Sequence, residues 1–390
     1  MRLSMNTRYA VIHASFWGAY GSLWAFIALV LEYNGFASAQ VGVVTSCATL
    51  LSVFLSPAVS SLLDAQPGLE NRHGAMALLT LAAALSLLAW LMPLPRPFVL
   101  GVCFALIGAF LSSTPPFQNA MAMDANRCGI PVVYGFCRGV GSVSYAAAVL
   151  LLGFVLERHA PTLLLPIFAA LTACGLIAMA GFRLPERPDE AADRPAEHRS
   201  IAAVLRSHPR FALTLLGCMF FFLTHTISNT YMNALVGKAG GTASAVGTSL
   251  AISAVLELPA MTLVSRLQKR FSPGFFLRFA AGAEVVKFLI FYLARSMPLI
   301  YLGHCMQFFQ FAVYAPATVY YVAAALPERD QLKGQSLIYV AGSGLGGALG
   351  NLLGGRLLDR SGIQAALLLG TVSAAASLLT FCLSTREDSR

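Results

Sequence analysis

The sequence predicts an all-α membrane protein with twelve transmembrane helices arranged as two six-helix bundles. Three observations carry this reading. Of 390 residues, 57% are hydrophobic and only 11% charged, whereas soluble domains carry about 25% charged residues. Nearly every apolar run exceeds ~18 residues, enough to cross the hydrocarbon core as a helix. None shows strand alternation, so the backbone polar groups must be satisfied inside helices rather than in a barrel.

The spans fall at 9–32, 40–63, 74–93, 98–122, 132–156 and 162–182, then at 210–236, 244–266, 275–295, 299–325, 333–357 and 363–383. Met1 to Arg8 is short and basic. The run after it is too long for a signal peptide and lacks a small-residue cleavage site, so it reads as an uncleaved first span. Arg183 to Arg210, rich in Pro, Arg, Asp and Glu, is the only long polar segment. It divides the chain into an N-terminal bundle (1–183), a cytoplasmic linker (184–209) and a C-terminal bundle (210–390). Placing the linker and both termini in the cytoplasm puts 18 Lys and Arg there against 6 on the other side, as the positive-inside rule requires. The net charge of +9 then belongs to membrane-flanking loops and implies no nucleic acid. The expected location is the cell's inner membrane, and the expected unit is a monomer.

The two halves echo each other. Ala39-Gln40-Val41-Gly42 opens span two and Ser244-Ala245-Val246-Gly247 opens span eight. Pro57 and Pro259 lie late in those spans. Leu151-Leu152-Gly153 with Glu157-Arg158 closes span five, and Leu352-Leu353-Gly354 with Asp359-Arg360 closes span eleven. Such a parallel repeat predicts a binding site between the halves. The eight cysteines are scattered without Cys-x-x-Cys spacing, and no cofactor or metal motif is present. Without a P-loop, transport energy must come from an ion gradient.

Ionisable residues inside spans are expensive, so each marks a pathway or a partner. Glu257, Glu284, Lys287 and His304 all lie within apolar segments, and Glu284 and Lys287 share a helix face three residues apart. His304, Gln307 and Gln310 follow at three-residue steps. Acid, base and imidazole in neighbouring spans suit proton coupling, here assigned to Glu257, Glu284 and His304; the bland alternative is a structural ion pair. On span five, Arg138, Ser142 and Tyr145 fall on one face. Arg138 either offers a bidentate fork to a substrate carboxylate or snorkels to water. Trp17, Tyr20 and Trp24 form an aromatic stripe on span one, lining a site or packing. Pro115-Pro116 free backbone carbonyls beside Gln118-Asn119. His225 and Asn229 neighbour each other at i, i+4, as binding residues or as a helix contact. The glycines from Gly342 to Gly350 read as close packing or a flexing point.

Tyr134-Gly135-Phe136-Cys137-Arg138 with Gly141-Ser142, and Trp17-Gly18-Ala19-Tyr20, resemble the major facilitator superfamily, in the branch of the lactose and phenylpropionate permeases. The resemblance spans the full length. It implies that Glu257 is the span-eight acid of substrate binding and proton coupling, that Lys287 replaces a span-nine arginine, and that His304 or Gln307 stands at the span-ten histidine. Asn119 stands where the branch has an acid that partners the span-five arginine. The expectation is a proton-coupled symporter, not an enzyme, with Trp17, Tyr20, Asn119, Arg138, Tyr145, His225, Asn229, Lys287, His304 and Gln307 binding a small organic solute. The neutral Asn119 favours an organic anion. A sugar or nucleoside symporter, a siderophore permease and an efflux antiporter share the architecture.

Overall fold

The computed structural model describes residues 4–66, 68–91, 97–185 and 201–385. Residues 186–200 of the predicted linker lie outside the described residues. Every predicted span is a helix: α1 Met5–Tyr33, α2 Ser38–Leu63, α3 Asn71–Leu91, α4 Pro97–Arg127, α5 Tyr134–Val155, α6 Pro161–Ala180, α7 Pro209–Thr230, α8 Ala243–Val264, α9 Pro273–Leu293, α10 Met297–Ala325, α11 Lys333–Ser361 and α12 Ile363–Ser384. Eleven are long and apolar enough to cross a membrane on composition alone. The remaining one, α9, has 21 residues but carries Arg278, Glu284 and Lys287. The short helices Ile201–Ser207 and Met232–Lys238 flank α7.

Local chemistry sets where the helices start and break. Ser4 and Ser272 cap α1 and α9 by accepting from Thr7 N and Phe275 N, at 3.1 and 3.2 Å, satisfying amides that the helix cannot. Pro115 and Pro116 interrupt α4 after Ser113. Thr114 Oγ1 donates to Phe110 O at 2.8 Å, so the carbonyls near the break keep a donor. Within α10, the 3₁₀ turn Met306–Phe308 separates Met297–Cys305 from Phe311–Ala325. Within α11, Val340–Gly346 is a π-helix.

The helices form two compact units: Met1–Glu190 with Thr242–Ala254, and Ala191–Gly241 with Val255–Arg390. The divide falls inside the predicted linker, and the first half of α8 groups with the first unit. In the first unit, α1 packs on α5 and α6, and α3 packs on α4 and α6. In the second, α7 packs on α11 and α12, and α9 packs on α10 and α12. The second set repeats the first at an offset of six spans, the pattern of the sequence echoes.

Apolar burial drives helices together weakly in lipid, so packing and interhelical hydrogen bonds take its place. Ser86 Oγ donates to Leu165 O at 3.0 Å (α3 to α6), Ser377 Oγ to Gly217 O at 2.9 Å (α12 to α7) and Thr214 Oγ1 to Tyr321 OH at 2.9 Å (α7 to α10). Below α7, Thr230 Oγ1 donates to Asn351 Oδ1 at 2.7 Å and the Tyr231 hydroxyl to Asn351 O. At the far end of α5, Thr242 Oγ1 donates to Glu157 Oε1 at 2.7 Å. Bonds from Ser244 and Thr242 hold the Glu157 carboxyl below the usual carboxylate range.

The glycine run of α11 is close packing. A Cβ at Gly346 would lie 3.1 Å from Met219 Cα, and one at Gly350 would lie 3.1 Å from Leu223 Cα. These are backbone atoms of α7, so the helices would have to separate. Gly346→Ala and Gly350→Ala are each expected to destabilise the protein by about 1–3 kcal/mol. Gly282→Ala on α9, where an added Cβ meets nothing within 4 Å, is expected to be neutral or to stabilise by up to about 1 kcal/mol. Thermal unfolding of the purified variants in detergent checks both.

Candidate functional site

The first unit gathers the predicted residues of α1 and α5. The Trp17 and Tyr20 rings are 5.5 Å apart, and Tyr145 lies 6.5 Å from Tyr20. The Arg138 guanidinium sits over the Trp17 ring at 4.0 Å and donates through Nη1 to Ser142 Oγ at 2.9 Å. A cation over an indole face contributes about 0.5–2 kcal/mol. The predicted shared face of Arg138, Ser142 and Tyr145 is therefore formed. The guanidinium is turned along α5 away from its Tyr134 end. Asn119 is half-buried on α4, one position after Gln118, whose backbone carbonyl accepts from the Tyr9 hydroxyl at 2.8 Å.

The second unit holds the denser cluster. Lys287 Nζ on α9 donates to Gln307 Oε1 on α10 at 3.0 Å, and Gln307 Nε2 donates to Glu257 Oε1 on α8 at 2.9 Å. Three helices are thus joined base to amide to acid. Lys287 is only 2% exposed and Gln307 4%, so water is largely excluded from that end of the bridge, while Glu257 is half-buried. The Lys287 ammonium also lies 5.8 Å from the Phe291 ring, and the buried His304 ring lies 5.0 Å from it on the other side of the α9–α10 seam.

The geometry departs from the spacing argument at one point. Glu284 and Lys287 share a face, but they form no ion pair. The long Lys287 side chain reaches across to α10, and neither Glu284 oxygen accepts a hydrogen bond among the described residues.

On α7, Asn229 Nδ2 donates to His225 O at 2.9 Å and stands 3.0 Å from His225 Nε2. The His225 ring stacks on Phe311 at 4.4 Å and 8°, with Phe222 edge-on at 5.9 Å. Phe221 stacks on Tyr314 at 3.9 Å. Sequence reasoning named His225 and Asn229 but missed this aromatic block. The signal was present: Phe221-Phe222 precede His225 by a turn, and Phe311 and Tyr314 follow Gln310 at helical spacing.

The arrangement offers a cation over an aromatic face in one unit. In the other it offers a bridged acid and base beside a flat aromatic surface with an amide at its edge. Among the described residues no group of three or more His, Cys, Asp or Glu is placed to hold a metal ion. These are the means for binding and moving a solute, in a polytopic membrane protein of the major facilitator fold.

The chain belongs to the MFS_1 like family, whose profile matches residues 6–369. It is 26% identical over 375 residues to a maltose permease of Geobacillus stearothermophilus, covering 95% of this chain and 92% of that one. Its fold matches the nucleoside transporter NupG with a TM-score of 0.81 at 16% identity, across 100% of both chains. It matches the human organic anion transporter MFSD10 with a TM-score of 0.66 at 19% identity, across 97% of this chain and 98% of that one. The protein is a secondary transporter and not an enzyme.

Hydrogen bonds to charged groups contribute about 1.5–3 kcal/mol each. Gln307→Leu is expected to destabilise by about that amount. Lys287→Leu should then cost less in the Gln307→Leu background than in the wild type, leaving a coupling energy of about 0.5–3 kcal/mol. A double-mutant cycle by thermal unfolding reads this, and additive effects would mean the bridge does not hold.

Proposed function

We propose that this transporter is a proton-coupled symporter of a small organic anion, with Glu257 as the group that takes up and gives back the proton. The observation that carries the reading is the Lys287–Gln307–Glu257 bridge. A carboxylate tied to an ammonium through one neutral amide favours its ionised form, and loss of that tie favours the acid. A conformational change that opens the bridge therefore moves a proton. Alternating access turns that exchange into transport, loading on one side and releasing on the other.

Two cations on spanning helices, Arg138 and Lys287, favour an anionic solute. Arg138 is permanently charged, and its planar fork suits a carboxylate. Trp17 lies under it, Tyr20 and Tyr145 continue the aromatic surface, and Asn119 on α4 is assigned to the same solute. A second reading has its own observation: the flat His225–Phe311 stack with Asn229 at its edge suits a neutral ring. The maltose permease and the nucleoside transporter, as relatives, lean the same way. The proposed setting is the cell's inner membrane with both termini in the cytoplasm, and the working unit is one chain.

Uptake into proteoliposomes with an inward proton gradient separates the readings. Gluconate and benzenesulfonate, both impermeant anions, are set against neutral maltose and uridine. Accumulation of an anion supports the proposal; accumulation of maltose or uridine alone gives the second reading. Glu257→Gln is expected to lose uphill accumulation and to keep exchange of the same solute. Wild-type accumulation by Glu257→Gln would remove the proton from this residue.

A further inference from the structure

Coupling through Glu257 gives no part to Glu284 and Gln310, which lie beside the bridge. Lys287 reaches Gln307 across the seam between α9 and α10. Glu284 stands three residues before Lys287 on α9, and Gln310 stands three residues after Gln307 on α10. The two helices are consecutive spans and cross the membrane in opposite directions, so both steps lead the same way along the seam. The 3₁₀ turn Met306–Phe308 and the turn after it set Gln310 one turn beyond Gln307, with Gln310 N donating to Met306 O at 3.0 Å.

Both residues are 0% exposed. Neither Glu284 oxygen, and neither the nitrogen nor the oxygen of the Gln310 amide, has a hydrogen-bond partner among the described residues. At Gln310 the backbone also leaves the helix, with φ −102° and ψ −94°, before Phe311 begins the next segment. Irregular backbone inside a span is tolerated where it lines a polar chamber, and it is where transporters hold their coupling ions. A polar level thus lies one turn from the bridge, within reach of the Lys287 stem.

We propose that Glu284 and Gln310 are a second station for the Lys287 ammonium, and that one proton alternates between Glu284 and Glu257 as Lys287 changes partners. This rests on Glu257 being the coupling acid. Two acids and one base sit in the cluster. With all three ionised the cluster carries one net negative charge, and a single proton makes it neutral. In the arrangement seen, Glu257 is ionised and bridged to Lys287, and Glu284 holds the proton as a neutral acid. When Lys287 turns to Glu284 and Gln310, Glu284 releases its proton to water and becomes the carboxylate partner. Glu257 then takes a proton from water and becomes the neutral acid. One proton is bound, one is released, and the cluster stays neutral in both arrangements, which avoids an unpaired charge in a dry interior. The other titratable side chains on spans packed against α9 are Tyr301, His304, Cys305, Tyr314, Tyr320 and Tyr321 on α10, Arg210, Cys218 and His225 on α7, and Cys382 on α12. None is a carboxyl, so the proton has two carboxyl stations.

Infrared spectroscopy of the purified full chain in lipid nanodiscs at neutral pH, without solute, reads the carbonyl stretch of buried carboxylic acids. The wild type is expected to show this band, and Glu284→Gln and Glu257→Gln, each of which leaves one acid to pair with Lys287, are both expected to lose it. Lys287→Met leaves two acids with no base, so its band should grow about two-fold. A wild type without the band, a band that survives Glu284→Gln, or a band unchanged by Lys287→Met each overturns the second station. Should the band survive Glu257→Gln, Glu284 keeps its proton even with Lys287 released from the bridge: the two-station proposal falls, while the coupling role of Glu257 stands or falls on uptake alone.

Discussion

The ammonium of Lys287 is the constraint around which the second unit is built. It is a full charge near the middle of a membrane-spanning helix, 2% exposed. A charge there is held only by partners that replace water. Gln307 is that partner, and Glu257 is the counter-charge one amide further on. The neutral amide matters. A direct Lys–Glu contact would be a tight ion pair that is costly to open, because separating a buried pair leaves two uncompensated charges. An intervening carboxamide can rotate and re-pair with either side, so the link can be exchanged. A pair that serves only to pin helices gains nothing from such a go-between.

The rest of the fold keeps this cluster in place while leaving it able to move. Ser hydroxyls tie α3 to α6 and α12 to α7 through backbone carbonyls, and a Thr–Tyr hydroxyl pair ties α7 to α10. Glycines of α11 let α7 approach at backbone contact. Against this rigid packing stand four irregular stretches: the 3₁₀ turn Trp24–Phe26 in α1, the proline break in α4, the 3₁₀ turn in α10 and the π-helix in α11. Such interruptions mark functional sites and hinges. The one in α10 contains Gln307 of the bridge and ends three residues before Phe311 of the aromatic stack.

Much of the fold was legible because membrane helices announce themselves through length and hydropathy, and all twelve spans were. The span α9 was recognisable in spite of its three charges because its neighbours fixed the count. The shared face of Arg138, Ser142 and Tyr145 followed from helical spacing alone. What spacing could not give was reach. Glu284 and Lys287 look like a pair on paper because they are three apart, yet a four-carbon stem lets Lys287 prefer a partner on another helix. The His225–Phe311 stack was illegible for the same reason: it joins α7 to α10, and no pattern within either span encodes a contact across helices. The break at Gln310 left no trace either, since neither Gly nor Pro stands there.

Two roles separate across the chain. Arg138 over Trp17 in the first unit is suited to holding a charged or ring-bearing solute. The acid–amide–base bridge in the second is suited to holding a proton. Whether the two are linked is decided most directly by proton flux. Proteoliposomes containing a trapped pH-sensitive dye are given an inward gradient of gluconate, benzenesulfonate, maltose or uridine with no pH gradient. A solute that enters through the wild-type protein should acidify the lumen as it does so. Solute entry with no change in luminal pH would contradict the account.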